Sequence, residues 1–177
     1  MNKMHVGCGP IYLEGYLNID SGDFKTDING NILHIEFPES SFDVIYSCHF
    51  FEHLAYPHDA VKCLSLFHKW LKPGGIMRMA VPDLELAAKA YAKGESLSFL
   101  YRREFKGFYY LDTPCERLNF FVKAWQHAMC YDFDLMSKLL MNAGFSSVLK
   151  CSANESRIPD FNHDRFISES LYIETTK

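Results

Sequence analysis

The chain has 177 residues, of which 48% are hydrophobic, so we expect one globular domain that can bury a core without disulfides or metals. Its net charge of −4 argues against a protein that binds nucleic acid mainly by neutralising phosphates. The six cysteines are scattered and include no C-x-x-C pair, which argues against a four-cysteine zinc site and favours free thiols in a reducing cytoplasm. Because no apolar run reaches the length of a membrane span, we expect a cytoplasmic protein with no membrane partner.

Short apolar runs separated by glycine and polar turns occupy the first quarter of the chain, as in a sheet of short strands. Such runs lie at Met4 to Val6, at Tyr16 to Ile19 and around Ile32 to Ile35. The stretch "FDVIYS", Phe42 to Ser47, is apolar and β-branched, which is typical of a buried parallel strand. Between the first two runs there is no room for a full helix, so we predict at most a single helical turn around Ile11 to Glu14.

The rest of the chain mixes helical and strand patterns, in the order expected of an α/β protein. Helices are predicted over Ala55 to Leu71, Leu84 to Ala92 and Asp132 to Phe145, and strands over Ile76 to Val81, Ser147 to Cys151 and Ser170 to Thr175. The aromatic-rich segment 94–131 is predicted to be a partly helical cap over a pocket. These elements predict a single α/β domain with its functional loops at the carboxyl ends of the strands.

"HVGCGP", at the end of the first strand, has the features of a nucleotide-binding loop. Gly7 and Gly9 permit a tight turn and leave no side chain to block a ligand that lies across it. Asp20 closes the second strand, where a carboxylate can accept hydrogen bonds from both hydroxyls of a ribose. The alternative interpretation is a glycine turn with a surface aspartate.

"HFFEHL", His49 to Leu54, matches the H-x-x-E-H signature of one class of zinc peptidases. That chemistry needs the motif inside a helix, together with a third protein ligand. His49 follows a predicted strand by only one or two residues, so it is expected in a turn. His49 and His53 would then not project from one helical face as a chelating pair, and we expect no metal.

Five segments together resemble the class I S-adenosylmethionine-dependent methyltransferases, in particular a small bacterial type often found beside sugar and cell-surface polysaccharide genes. They are "HVGCGPIYLEGYLNID", "FPESSFDVIYSCHFFEHL", "WLKPGGIMRMAVPDLE", "YDFDLMSKLLMNAGFSSV" and "SLYIETTK". The resemblance implies a Rossmann-like three-layer sandwich with a mostly parallel sheet of about seven strands, the last antiparallel, and a helical cap insertion. It also implies S-adenosylmethionine as the cofactor.

The same resemblance implies a role for ten residues in binding that cofactor. Gly7, Cys8 and Gly9 would lie under its methionine part, Asp20 with Ile19 and Ser21 would hold the ribose, Asn31 and Ile32 the adenine, and Ser47 and His49 the methionine. Asn31 replaces the carboxylate usual at its position, although its side-chain oxygen can still accept from the adenine amino group. His5 stands where an acid is common.

The implied reaction is methyl transfer to a small-molecule or sugar acceptor, and family analogy favours O-methylation. A general base would then help, and the candidates are His127 first, followed by His53 and Asp83. A packing or capping role is the alternative for His127.

Five other residues could contact a sugar or an acidic acceptor, although an ordinary surface or core role is the alternative for each: Arg102, Arg103, Arg117, Trp125 and Tyr131. The pocket would be closed by segment 94–131 or by a second subunit in a homodimer. A non-catalytic binding module or complex subunit that keeps the fold is the alternative function.

Overall fold

One seven-stranded β-sheet organises the computed structural model, which describes residues 1–95 and 111–177. The strands are β1 (Lys3–Val6), β2 (Leu17–Asp20), β3 (Ile28–Asn29), β4 (Phe42–Cys48), β5 (Leu71–Pro82), β6 (Ser146–Cys151) and β7 (Ser170–Thr176). Their order in the sheet is β3-β2-β1-β4-β5-β7-β6. Strands β1 to β5 run parallel, and β7 lies antiparallel between β5 and β6. The predicted fold class is thereby confirmed.

Within residues 1–95 and 111–177, four α-helices accompany the sheet: α1 (His58–Trp70), α2 (Leu84–Ala92), α3 (Pro114–Lys123) and α4 (Phe133–Asn142). Side chains define three of their starts. The carboxylates of Asp83 and Asp132 accept from the backbone N–H three residues later in α2 and α4, and Thr113 forms a capping box with Glu116 at α3. Among the described residues no helix has the length and apolar character to span a membrane.

The alternating side chains of β4 reach two separate apolar clusters on the two faces of the sheet. Ile45 packs in the larger cluster, which also contains the apolar faces of α1 and α4. Val44 and Tyr46 belong to the other cluster, together with Ile158 and Phe161 from the loop between β6 and β7. A loop therefore covers this part of the second face.

A buried arginine, Arg78 on β5, holds that loop against the sheet. Its guanidinium forms an ion pair with Asp164 and donates to the backbone carbonyls of Glu155 at 2.8 Å and Ser152 at 2.9 Å. A second carboxylate, that of Glu174 on β7, lies 3.4 Å from it. All five donors of a guanidinium can be used in such a network, which is what permits a charged group to be fully buried.

Two local predictions were wrong. The apolar run around Ile32 to Ile35 forms a 3₁₀ turn (Ile32–His34), and the third strand is the shorter Ile28–Asn29 before it. Helix α1 begins at His58 and not at Ala55, because a 3₁₀ turn (Phe51–His53) and a short non-helical link precede it. The connection from β1 to β2 contains no helix, within the predicted limit of a single helical turn.

Candidate functional site

A cavity of about 430 Å³ opens at the carboxyl ends of β1 to β4. Its volume is within the range of small-molecule sites. The loops after β1 and β2 contribute Gly7, Gly9, Ile19, Asp20 and Ser21 to its wall. The segments after β3 and β4 contribute Asn31, Ile32, His49 and His53.

The two glycines after β1 have positive φ angles, 65° at Gly7 and 52° at Gly9, which favour glycine. They differ in what surrounds them. A Cβ on Gly7 would overlap the side chain of Phe50, lying 2.6 Å from its Cγ, whereas a Cβ on Gly9 would meet nothing within 4 Å. Gly7 therefore lets the loop pack against the segment after β4, and Gly9 leaves bare backbone on the cavity wall.

Asp20, at the end of β2, is fixed by two backbone hydrogen bonds. The N–H of Gly9 donates to its Oδ2 at 2.8 Å, and the N–H of Gly22 donates to its Oδ1 at 2.7 Å. Each carboxylate oxygen can accept two hydrogen bonds, so both retain capacity for a ligand. The carboxylate is thus held in one orientation at the cavity wall and can still accept two hydroxyl groups.

Asn31, like Asp20, holds a backbone segment in place and can still accept a hydrogen bond from a ligand. Its Oδ1 accepts from the N–H of Leu33 at 2.9 Å and so caps the 3₁₀ turn that also carries Ile32. The turn holds both residues at the cavity, where an amide oxygen and an apolar side chain can contact a flat heterocycle.

Two of the ten predicted cofactor residues are not part of the wall formed by the described residues. Cys8 is buried, and burial raises the pKa of its thiol to about 11, so it stays protonated at neutral pH. Ser47 is buried within β4, between Val6 of β1 and Met79 of β5. Both residues lie behind the wall, next to neighbours that line it.

The opening of "HFFEHL" is a tight turn and not a helix. His49 has a φ of 52°, and its Nε2 lies 2.7 Å from the hydroxyl of Ser170. Its ring stacks on that of Phe166 at 4.1 Å. The 3₁₀ turn that follows brings both His49 and His53 to the cavity wall.

Glu52 is completely buried directly behind these histidines. Neither carboxylate oxygen has a hydrogen-bond partner among the described residues. Its Oε1 lies 3.6 Å from Nδ1 of His49 and 4.0 Å from Nε2 of His53. Burial raises the pKa of Glu52 to about 8.

His127, in the segment between α3 and α4, lies beside His53. Its ring lies 5.2 Å from that of His53, and its Nδ1 lies 3.1 Å from the carbonyl oxygen of Phe121. Burial, and secondarily the neighbouring His53, lower the pKa of His127, and burial also lowers that of His53. Both imidazoles are therefore neutral near pH 7 and able to accept a proton.

Asp83, the third base candidate, has a different environment. It caps α2 through the N–H of Leu86 at 3.0 Å and lies 3.7 Å from Nζ of Lys150. Its carboxylate is not among the described groups that line the cavity. These contacts give Asp83 a structural role at the start of α2.

The proposed acceptor contacts are dispersed. Arg117 donates to the carbonyl of Leu111 at 2.7 Å, and Trp125 is exposed. Tyr131 is fully buried, with its ring 5.2 Å from that of Phe51, so it belongs to the core. Arg102 and Arg103, with the rest of residues 96–110 in segment 94–131, lie outside the described residues.

Sequence reasoning missed several groups of the site. The cavity wall also includes Leu33, Phe50, Leu54 and Asp59, and Glu52 lies behind it. Phe50, Glu52 and Leu54 are within "HFFEHL", whose spacing was the available signal. The others are adjacent in sequence to predicted residues or follow them by a few positions.

Comparisons with known proteins agree with this geometry. A family model described as "Methyltransferase domain" matches residues 14–79, a range that begins after the glycine loop. A SAM-dependent methyltransferase from Archaeoglobus fulgidus has a TM-score of 0.62 at 15% identity, over 99% of this chain and 86% of that one. The fold is that of the methyltransferases.

Two further solved methyltransferases show the same similarity. An S-adenosylmethionine-dependent enzyme from Mesorhizobium loti has a TM-score of 0.58 at 13% identity, over 99% of this chain and 90% of that one. One from Thermotoga maritima has a TM-score of 0.57 at 13% identity, over 99% and 82%. No curated protein matches the sequence significantly.

The matched family and the methyltransferase fold imply S-adenosylmethionine as the cofactor. The hydrogen-bond acceptors and the bare backbone of the cavity wall suit this molecule. A fixed carboxylate at Asp20 suits ribose hydroxyls, the bare backbone at Gly9 permits close approach, and the Asn31 turn offers an amide and an apolar surface.

Proposed function

We propose that this chain is a methyltransferase that binds S-adenosylmethionine in the cavity after β1 to β4 and methylates a hydroxyl of a small-molecule acceptor, such as a sugar. The observation that carries the proposal is the shared wall of the cavity. Bare backbone at Gly9, the fixed carboxylate of Asp20, the Asn31 turn and the imidazole of His53 all line one space, and His127 lies next to His53.

Each part of the wall has one binding role in this proposal. Asp20 accepts from the two ribose hydroxyls with the lone pairs left free by Gly9 and Gly22. Asn31 accepts from the adenine amino group while Ile32 packs on the ring. Gly7 and Gly9 leave room for the methionine part, and His49 borders it.

The chemical step needs positioning above all. The bound cofactor supplies an activated methyl group on a sulfonium, which is a good leaving group. Holding the acceptor oxygen in line with that methyl supplies roughly 7–11 kcal/mol of the barrier. A neutral histidine that accepts the hydroxyl proton adds roughly 10²- to 10⁴-fold, and the adjacent pair His53 and His127 is suited to this because burial keeps both uncharged.

Binding of the demethylated product, S-adenosylhomocysteine, tests the cofactor site. At about 100 times its dissociation constant the ligand should stabilise the protein by about 2.7 kcal/mol. For a chain of this size that raises Tm by roughly 5–10 °C. Asp20→Ala should abolish the shift, and Asp23→Ala, at an exposed carboxylate three residues away, should preserve it. A wild-type protein that shows no shift at millimolar ligand would refute the assignment.

Turnover is tested with a methyl-labelled cofactor and a panel of sugars and other hydroxylated small molecules. His127→Ala should bind S-adenosylhomocysteine normally and lower turnover by roughly 10²- to 10⁴-fold on the acceptor that the panel identifies. Full activity of that variant would remove His127 from the mechanism. Product binding with no turnover on any acceptor would favour the non-catalytic binding module. A homodimer stays a prediction that light scattering can check.

A further inference from the structure

A second feature of the histidine cluster goes beyond cofactor binding. We infer that Glu52, His53 and His127 form a site for a divalent transition-metal cation, next to the cavity in which methyl transfer is proposed. One potential ligand atom from each of the three side chains lies within 4.8 Å of the others. Metal–nitrogen and metal–oxygen bonds of about 2.0–2.2 Å would draw these atoms inward by roughly 1 Å. The half-exposed His53 ring can accommodate such a movement.

The buried carboxylate of Glu52 is the strongest evidence. A carboxyl group that is removed from water is normally hydrogen-bonded or paired, because its desolvation is otherwise uncompensated. Both oxygens of Glu52 lack a hydrogen-bond partner in the described part of the chain, and the residue has no solvent exposure. Two imidazoles face Oε1: Nδ1 of His49 lies 3.6 Å from it and Nε2 of His53 lies 4.0 Å from it. A cation bound between the carboxylate and the imidazoles of His53 and His127 would compensate the desolvation of the carboxylate.

The hydrogen bond made by Nδ1 of His127 leaves Nε2 able to act as a metal ligand. A carbonyl oxygen can only accept, so the 3.1 Å contact with Phe121 requires Nδ1 of His127 to carry the proton. In the neutral ring this leaves Nε2 with the lone pair. Histidines that bind metals typically donate from the second nitrogen to a carbonyl or carboxylate in this way, which fixes their tautomer and orientation.

The backbone keeps the third ligand in register with the first two. The carbonyl oxygen of Glu52 accepts from the N–H of Ala128 at 2.8 Å and from that of Met129 at 3.2 Å. These bonds attach the segment that carries His127 directly to the turn that carries Glu52 and His53. The site is thus assembled from two parts of the chain that lie 74 residues apart in sequence, a contact that the sequence motif alone does not reveal.

The ligand set indicates the kind of metal. Two imidazoles and one carboxylate suit Zn²⁺, Mn²⁺ or Fe²⁺, whereas Mg²⁺ and Ca²⁺ prefer sets composed of oxygens. Three protein ligands leave a coordination position open, as in catalytic sites. The sequence-based expectation of no metal considered only a helical chelate formed by His49 and His53. The site inferred here instead combines His53 with Glu52 and the distant His127.

The proposed methyltransferase activity gives the cation a role, and this part rests on the proposed function. His53 belongs to the cavity wall, so a cation that it binds would border the cavity in which methyl transfer is proposed. A hydroxyl bound to the cation would lose its proton to solvent water more readily. His127 would then support proton loss as a metal ligand and not accept the proton itself.

Calorimetric titration of chelator-treated protein with ZnCl₂ and, separately, MnCl₂ tests the site without cofactor or acceptor. All proteins carry Cys115→Ser, because Cys115 is an exposed thiol that could bind zinc. We expect one saturable site for at least one of the two cations. Glu52→Gln and His127→Ala should each weaken it by at least about 10- to 100-fold, since second-shell losses alone cost that much.

His58→Ala provides the matched control, because His58 is exposed at the start of α1 and should leave affinity unchanged. Melting curves of the metal-free variants confirm that each is folded. Two results would overturn the inference: no saturable binding at millimolar cation, or an affinity of Glu52→Gln and His127→Ala equal to that of the parent protein. Because S-adenosylhomocysteine binding is measured separately in metal-free protein, failure of the cofactor site and failure of the cation site give different results.

Discussion

The glycine loop after β1 offers a comparison of two substitutions that look identical in sequence. Gly7→Ala and Gly9→Ala both place a Cβ on a residue with positive φ, which costs about 1–2 kcal/mol for an L-residue. Only the Cβ on Gly7 also collides with Phe50, whose Cγ would lie 2.6 Å away. Overpacking of this kind costs about 1–3 kcal/mol more. We expect Gly7→Ala to lower the free energy of unfolding by about 2–5 kcal/mol and Gly9→Ala by about 1–2 kcal/mol.

Urea denaturation at pH 7 measures the loss in the free energy of unfolding for each variant. Titration with S-adenosylhomocysteine, at a temperature where both variants are folded, measures their ligand affinity. Gly9→Ala should lose ligand affinity although it is the more stable variant, because its methyl group projects from the backbone of the cavity wall. Equal stability of the two variants would refute the steric reasoning. Unchanged affinity of Gly9→Ala would refute the assignment of Gly9 to the ligand surface.

Two further predictions concern groups buried away from the cavity. Arg78→Lys removes the guanidinium that reaches Asp164 and the loop carbonyls, so we expect the free energy of unfolding in urea to fall by about 3–5 kcal/mol. The control, Arg157→Lys at a half-exposed ion pair, should lower it by less than about 1 kcal/mol. Equal losses would show that Arg78 does not hold the loop against the sheet. Burial lowers the pKa of His5 from 6.5 to about 4, so the unfolded chain binds its proton first, and stability falls by up to about 3 kcal/mol as pH drops from 6.5 to 4. His5→Gln should flatten this part of the stability–pH curve, and an unchanged curve would show that His5 is not the group responsible.

Local patterns predicted most of the fold because most of its elements have a local cause. Helix α2 has the predicted limits, Leu84–Ala92, and α4 starts behind the Asp132 cap that its sequence indicates. The third strand was missed because Ile28–Asn29 is only two residues long and not strongly apolar. The more apolar run beside it is buried as a turn, and apolar character alone does not distinguish the two.

The site divides in the same way. Gly9 and Asp20 were predicted to lie together because parallel strands bring their carboxyl ends to one edge of the sheet, whatever the loops do. Asn31 was assigned only through the family resemblance, because the strand that precedes it was not predicted. The neighbourhood of Glu52 and His127 was not predictable, because it depends on how segment 111–131 packs on the turn after β4. The buried partners of Arg78 were hidden for the same reason, since they come from a polar loop with no periodic pattern.

The hydrogen bonds from Ala128 and Met129 to the carbonyl of Glu52 have a consequence for how ligands influence each other. The segment from His49 to His53, which contains this turn, supplies His49, Phe50 and His53 to the cavity wall. Under the proposed function, an acceptor that shifts the segment after α3 would act through these bonds on the wall of the cavity. By thermodynamic linkage, whatever factor the acceptor applies to cofactor affinity, the cofactor must apply to acceptor affinity. Measuring the affinity for each ligand with and without the other would give this coupling factor.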